Sequence, residues 1–310
     1  MKPFRKNVAL AIDGGGIRGV MVTRALSILE DELKQPLHEI CRLAAGTSTG
    51  SIIAAGIGIK KTAADLTGIY KTIGPDIFKR TWRKSLFPLS RYRYPEEPLK
   101  KALETYFGGL KMGEFWNMER AFDLVITTFD LQTNRTCFVK PWKTEYADWP
   151  VVRAVQGSCT VPTYFPIVEG RWIDGGVGSY ANPCYLAAYE AQFCLNWDPM
   201  ETTLISLGTG REPHHYEPDQ ARELWAWDWI NPMIGAFLQS TYDQQVNLVD
   251  TFFKSLDFRR FQIDLSHSIE MDDASQIPAL LKYGDELGKM ILEDDVDPIQ
   301  HLRPQKAPKM

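Results

Sequence analysis

Apolar residues along this chain come in short blocks closed by glycine, and the blocks alternate with stretches of helical spacing. Val8-Ala9-Leu10-Ala11-Ile12 is apolar throughout and stops at Asp13-Gly14-Gly15-Gly16. A run that short, apolar and ended by glycines predicts a parallel strand buried on both faces. From about Val20 to Leu33 the apolar positions Ala25, Leu26, Leu29 and Leu33 fall at helical spacing. Cys41 to Ala45 reads as a second strand, running into Gly46-Thr47-Ser48-Thr49-Gly50 and then a helical segment from Ile52 to Ile59. Phe122 to Thr127 and Thr203 to Leu207 are further strands, the latter closed by Gly208-Thr209-Gly210, and Ile234 to Phe253 again has helical spacing. Such alternation predicts an α/β fold, a mostly parallel central sheet with helices on both faces. Neither an internal repeat nor a low-complexity linker interrupts it. One domain over residues 1–296 is the simplest organisation, with 297–310 a proline-containing tail expected to fray.

Composition changes this picture little. The 310 residues are 44% hydrophobic and 24% charged, ordinary for a globular protein with a sizeable core. A net charge of −4 gives no global attraction to a nucleic acid polymer. The cysteines, Cys41, Cys137, Cys159, Cys184 and Cys194, are odd in number and form no C-x-x-C pair. That suggests neither a zinc site nor a disulfide framework and fits a reducing cytoplasm. Lys2, Arg5 and Lys6 precede the first apolar run, but Val8 to Ile12 is too short for a signal-peptide core. No apolar stretch approaches the length of a transmembrane helix.

The candidate chemistry sits at the glycine-closed strand ends. Gly46-Thr47-Ser48-Thr49-Gly50 matches G-x-S-x-G between an apolar strand and a helix. That context suits a sharp turn that lifts a serine hydroxyl out of the sheet at a helix N-terminus, with Gly46 and Gly50 letting strand and helix approach. The bland reading is a helix-capping loop. Gly14, Gly15 and Gly16, followed by Arg18, leave backbone N–H groups unshielded at a helix start, a site for an anion or a developing oxyanion. The same stretch satisfies a dinucleotide fingerprint through Gly14, Gly16 and Gly19. Against it, the next strand ends in Gly46-Thr47-Ser48 rather than an acidic residue, and Asp13 would lie beside the pyrophosphate.

A nucleophilic serine needs a base. His38, His214, His215, His267 and His301 occupy no recognisable catalytic context. Asp174, between Arg171-Trp172-Ile173 and Gly175-Gly176, stands at a tight turn; the same residues also suit an ordinary β-turn. A free aspartate titrates near pH 3.9, so as a base it would need burial and contact with Ser48.

These motifs together resemble the patatin-like phospholipases. The resemblance rests on Asp13 to Gly19, on Gly46 to Gly50, on Val161-Pro162-Thr163-Tyr164-Phe165-Pro166, on Asp174-Gly175-Gly176, on Leu204 to Gly210 and on Asp272-Asp273-Ala274-Ser275, in that order over roughly residues 7 to 290. It implies a serine acyl hydrolase of phospholipase A type. Ser48 would attack an ester carbonyl to form an acyl-enzyme, Asp174 would be the base, and the Gly15 and Gly16 N–H groups, with Arg18 nearby, would hold the oxyanion. No histidine, metal or cofactor takes part. The expected partner is a phospholipid or glycolipid membrane, met from the cytoplasm at the inner face. Some bacterial members are anti-phage effectors switched on by a cyclic nucleotide; the chain is compatible with that role and with a constitutive lipase, and self-association stays open. The readings from other classes are a dinucleotide-binding oxidoreductase and a catalytically idle protein on the same fold.

Two stretches are candidates for membrane contact. Between Lys79 and Lys101, the cations Lys79, Arg80, Arg83, Lys84, Arg91 and Arg93 mix with Trp82, Phe87, Tyr92 and Tyr94. That mixture suits an anionic bilayer, a bound phosphate ligand or a solvated loop. Leu224-Trp225-Ala226-Trp227-Asp228-Trp229-Ile230 alternates three tryptophans, as an interfacial anchor or as a cap packed over the cleft.

Overall fold

The computed structural model describes residues 1–87, 89–213, 217–225 and 228–298. Seven strands form one sheet: β1 (Asn7–Ile12), β2 (Leu43–Gly46), β3 (Asp123–Asp130), β4 (Arg135–Val139), β5 (Trp172–Asp174), β6 (Thr202–Leu207) and β7 (Asp257–Phe261). The order is β4-β3-β2-β1-β6-β7, with β5 paired to β3. The five strands β3-β2-β1-β6-β7 run parallel, and β4 and β5 are antiparallel to β3. The four strands read from apolar runs are all present, at the parallel centre.

Alternation along each strand divides the core. Leu10 and Ile12 of β1 and Leu124 and Ile126 of β3 face one layer, with helices α1 (Gly19–Leu33), α2 (Thr49–Gly58), α3 (Ala63–Ile77), α4 (Glu97–Phe107) and α5 (Val151–Cys159). Ala9 and Ala11, with Leu43, Ala45 and Val125, face the other, where α6 (Cys184–Tyr189) and α7 (Ile230–Phe252) pack. A last helix, α8 (Ile277–Glu293), lies along α1 in the first layer. Both faces of the central strands are therefore covered, which is what their uninterrupted apolar sequence requires.

Three strands escape a periodicity reading. β5 has only three residues. β4 is an edge strand joined to β3 by a turn in which Asn134 takes φ 55°. β7 reads Asp-Phe-Arg-Arg-Phe, which looks solvated, yet Arg259 and Arg260 are both buried. Arg259 pairs with Asp257 at 2.6 Å and donates to the carbonyls of Lys2 and Pro3. Arg260 forks onto Asp13 at 2.9 and 2.6 Å. Buried charges are tolerated only when paired in this way. Asp297, expected to open a frayed tail, is held instead: its N–H donates to Arg260 O at 2.8 Å and its carboxylate pairs with Arg211 at 2.7 Å.

Candidate active site

The site forms where β2 and β5 meet end to end on one edge of β3. Gly46 of β2 lies opposite Ile126, and Asp174, arriving from the other direction on β5, lies opposite Thr128. Those positions are two residue steps apart on β3, about 7 Å along a strand, with only Thr127 between them. The chain leaving β2 and the chain leaving β5 must both turn out of the sheet in that gap. Thr127 fills its floor, its hydroxyl 2.7 Å from that of Thr47. A Cβ on Gly175 would stand 2.2 Å from Thr127 Oγ1, so only glycine lets the second turn close.

The turn after β2 has the geometry its motif requires. Ser48 takes φ 55° and ψ −125°, a conformation that costs a non-glycine residue about 1–3 kcal/mol and that recurs at functional sites. Side chains at the flanking positions would collide with backbone, a Cβ on Gly46 lying 2.2 Å from Gly50 O and one on Gly50 2.1 Å from Ile12 O. The strained turn is held from outside: Ser48 N–H donates to Ser158 Oγ at 2.8 Å, and the Thr47 hydroxyl to Tyr180 O at 2.5 Å. Helix α2 then starts directly behind the serine.

Asp174 is buried beside it. Its Oδ1 accepts the Gly176 N–H at 2.7 Å, and its own N–H donates to Thr160 O at 3.0 Å. Burial pushes its carboxyl up to about 7, against the smaller opposing pulls of the Gly176 N–H and a hydrogen bond with Ser48. The two residues singled out in the sequence are thus brought together at one end of β3, and the carboxylate has the raised proton affinity a base needs near neutrality. Cys159 lies behind the turn, its Sγ 4.0 Å from Ser51 Oγ; desolvation and the neighbouring Asp174 push its thiol up, so it stays neutral.

The glycine loop is anchored from below and above. Asp13, raised to about 6 by burial despite Arg260, ties it to β7. Gly14 O accepts from Thr209 Oγ1 at 2.6 Å and Tyr242 Oη at 3.0 Å. Gly14 leaves the expected donor set, because its N–H is spent on Ala181 O at 2.9 Å. Among the described residues, the Gly15 and Gly16 N–H groups donate to no protein acceptor. Arg18 is buried and pairs with Glu212 at 2.5 Å, so its charge is already balanced and its support of an oxyanion is indirect. The dinucleotide reading of Gly14, Gly16 and Gly19 fails on the fold: β2, the strand that should present an acidic residue to a ribose, ends in the Ser48 turn.

Ser48 opens onto an apolar channel. Its walls come from α2, α3 and α4, with Ile52, Leu66, Ile73, Leu99, Leu103 and Phe107 among them, and it reaches Ile59 and Lys61. The twelve residues from Ser48 to Ile59, nearly all in α2, make eleven steps and span about 16 Å at a helical rise of about 1.5 Å each.

Other expected positions resolve differently. Lys84 and Arg93 turn inward to Asp272, at 3.0 and 3.9 Å, and Tyr94 donates to the same carboxylate at 2.7 Å. They are not part of an exposed basic patch. Trp225 and Trp229 are exposed and do not form a cap; Trp227, His214, His215 and His301 lie outside the described residues. No described helix is long and apolar enough to cross a membrane. Ser158, Thr127, Tyr242 and Arg260 support the site but carry no motif, whereas Thr209 belongs to the Leu204 to Gly210 stretch; only the pairing of β7 beside β6 brings Arg260 under the glycine loop.

Comparison with known proteins agrees with this geometry. The family described as Patatin-like phospholipase matches residues 10–188, from β1 through Asp174 to α6. Patatin-17 of Solanum cardiophyllum is 26% identical over 92% of this chain and 84% of its own length. The 85/88 kDa calcium-independent phospholipase A2 of Mus musculus is 28% identical over 66% of this chain and 27% of its own. Among solved structures, VipD from Legionella pneumophila overlaps 94% of this chain and 67% of its own at 12% identity and a TM-score of 0.49. With the match spanning more than half the chain and containing both the strained serine turn and the buried aspartate, this protein belongs to the patatin-like phospholipase family.

Proposed function

We propose that the protein hydrolyses carboxylic esters of long-chain lipids through a Ser48–Asp174 dyad. The observation that carries this reading is the placement of Ser48, strained, brought to the same end of β3 as a buried carboxylate and opening on an apolar channel. Ser48 Oγ attacks the ester carbonyl as Asp174 takes its proton. The carbonyl oxygen becomes an oxyanion facing the Gly15 and Gly16 N–H groups, at a helix start whose dipole favours negative charge. Collapse breaks the ester C–O bond, and the proton on Asp174 passes to the departing alkoxide. A water then donates a proton to Asp174 and attacks the acyl-enzyme, releasing the fatty acid and restoring Ser48.

The channel points to the substrate class. The hydrocarbon core of a bilayer is about 30 Å thick, so one leaflet's chain is about 15 Å, close to the reach from Ser48 to Ile59. Burying a chain of about a dozen methylenes at about 0.8 kcal/mol each is worth on the order of 10 kcal/mol, far more than any single head-group contact. Membrane phospholipids and glycolipids both supply such chains.

Ser48 and Asp174 already stand together at the ends of β2 and β5 in the isolated chain, which supports a constitutive enzyme over one assembled by a cyclic nucleotide. Labelling with a fluorophosphonate probe tests both points. The wild-type protein should label without additive, and Ser48→Ala should not label while keeping its circular dichroism spectrum. Absence of labelling in the wild type would remove the hydrolase reading; labelling only with a cyclic nucleotide would make the effector reading the correct one.

A further inference from the structure

Residues 81–93 form a protrusion closed on itself. Thr81 Oγ1 donates to Arg93 O at 2.9 Å at its base, and Ser90 Oγ donates to Arg83 O at 2.8 Å across it. The base is bolted to the channel wall: Arg93 N–H donates to Thr163 O at 2.9 Å and Tyr94 N–H to Tyr164 O at 2.8 Å. Tyr94 packs on Phe78 and Phe165, which line the channel with Tyr164. Asp272, which gathers Lys84 and Tyr94, directly follows Met271, another lining residue.

This segment exposes large apolar side chains. Trp82 is 63% exposed, Leu86 52% and Leu89 90%. Compact loops normally bury such side chains against their own body, and scattered single exposures would need no explanation; three within eight residues do. Arg83 stacks between Trp82 and Tyr92, at 4.7 and 4.5 Å from the two rings, which holds Trp82 in place. In the same segment the cations Lys79, Arg80 and Arg91 are also exposed, and residues 79–93 contain no acidic residue, in a chain whose net charge is −4.

We propose that this protrusion is a membrane-docking wedge: Trp82, Leu86 and Leu89 enter the interfacial region of a bilayer while Lys79, Arg80 and Arg91 meet anionic head groups. Exposed apolar side chains interspersed with exposed cations fit that surface in both hydrophobicity and charge, and a neutral or acidic protein partner would match only half of it. Anchored to the channel wall, the wedge sets the enzyme down with the acyl channel beside the lipid, so that a chain enters it without crossing water. The wedge gives the proposed hydrolase its access to substrate, and so rests on that reading.

Its test does not depend on catalysis. Ser48→Ala protein is sedimented with vesicles of phosphatidylcholine alone and of phosphatidylcholine with phosphatidylglycerol. Stronger binding to the anionic vesicles, weakened by salt, is expected. In that background, Trp82→Ser/Leu86→Ser/Leu89→Ser should weaken binding to anionic vesicles by about tenfold or more. Lys79→Gln/Arg80→Gln/Arg91→Gln should remove the preference for the anionic lipid, and Leu89→Trp should tighten binding. With Ser48 present, the serine triple variant should keep its activity on a soluble short-chain ester and lose it on vesicles. Wild-type sedimentation of the apolar and charge variants alike would overturn the wedge; wild-type vesicle binding with no fluorophosphonate labelling would leave the wedge standing and overturn the hydrolase reading.

Discussion

Replacing Asp174 by asparagine should remove activity and, at alkaline pH, add stability. In the folded protein the Asp174 carboxyl is raised from 3.8 to about 7 because burial penalises its charged form. Between about pH 4 and pH 7 the folded state holds a proton that the unfolded chain has released, so stability falls as pH rises through that window. Above it the deficit is constant. Raising the carboxyl from 3.8 to about 7, at about 1.4 kcal/mol per tenfold change in proton affinity, makes it on the order of 4 kcal/mol. Asparagine is neutral at every pH and keeps an oxygen for the Gly176 N–H. The variant should therefore gain up to that amount over wild type at pH 8, and the gain should vanish near pH 4. Asp13, also raised by burial, titrates in both proteins and cancels in the comparison. On the catalytic side, kcat/KM on a soluble ester should rise with pH to a plateau, with a midpoint near 7. Asp174→Asn should lose about 10²–10⁴-fold, as expected when a general base is removed. Urea unfolding at pH 4 and pH 8, with pH–rate profiles of both proteins, measures all of this. A wild-type profile breaking near pH 4, or a stability gain equal at both pH values, would refute the burial argument; wild-type activity in the variant would refute the base.

Three further outcomes follow from packing. Ala102 lines the acyl channel from α4, so Ala102→Phe should cut kcat/KM for long-chain esters by tenfold or more, about the worth of two buried methylenes, and leave short esters nearly unchanged in the same assay. Gly175→Ala places a methyl 2.2 Å from Thr127 Oγ1. It should destabilise by about 1–3 kcal/mol, the usual penalty of overpacking, and displace Asp174, which urea unfolding and ester turnover together report. Arg260→Leu leaves the buried Asp13 carboxylate unpaired and should cost about 3–5 kcal/mol. That deficit should shrink at pH 5, where Asp13 protonates, and Asp13→Asn added to it should recover part of the loss in thermal melts.

The sequence by itself determined the elements whose information is local. An uninterrupted apolar run ended by glycine can be satisfied only as a central parallel strand, so β1, β2, β3 and β6 were legible. The Ser48 turn was legible because its conformation demands glycine on both sides, and the run from Asp13 to Gly19 because exposed N–H groups demand glycine too. Tertiary structure alone decided what depends on a distant partner. β7 carries two arginines that are acceptable inside only because Asp257 and Asp13 meet them. The three residues of β5 have no periodicity, yet their register on β3 is what delivers Asp174 to Ser48. Lys84 and Arg93 looked like surface charge until Asp272, from the far end of the chain, drew them inward, leaving Lys79, Arg80 and Arg91 at the rim. Gly14 looked like its two neighbours until Ala181 O took its N–H. In each case the residue's own chemistry was visible in the sequence, and what it costs to bury that residue was set by a group the sequence does not place beside it.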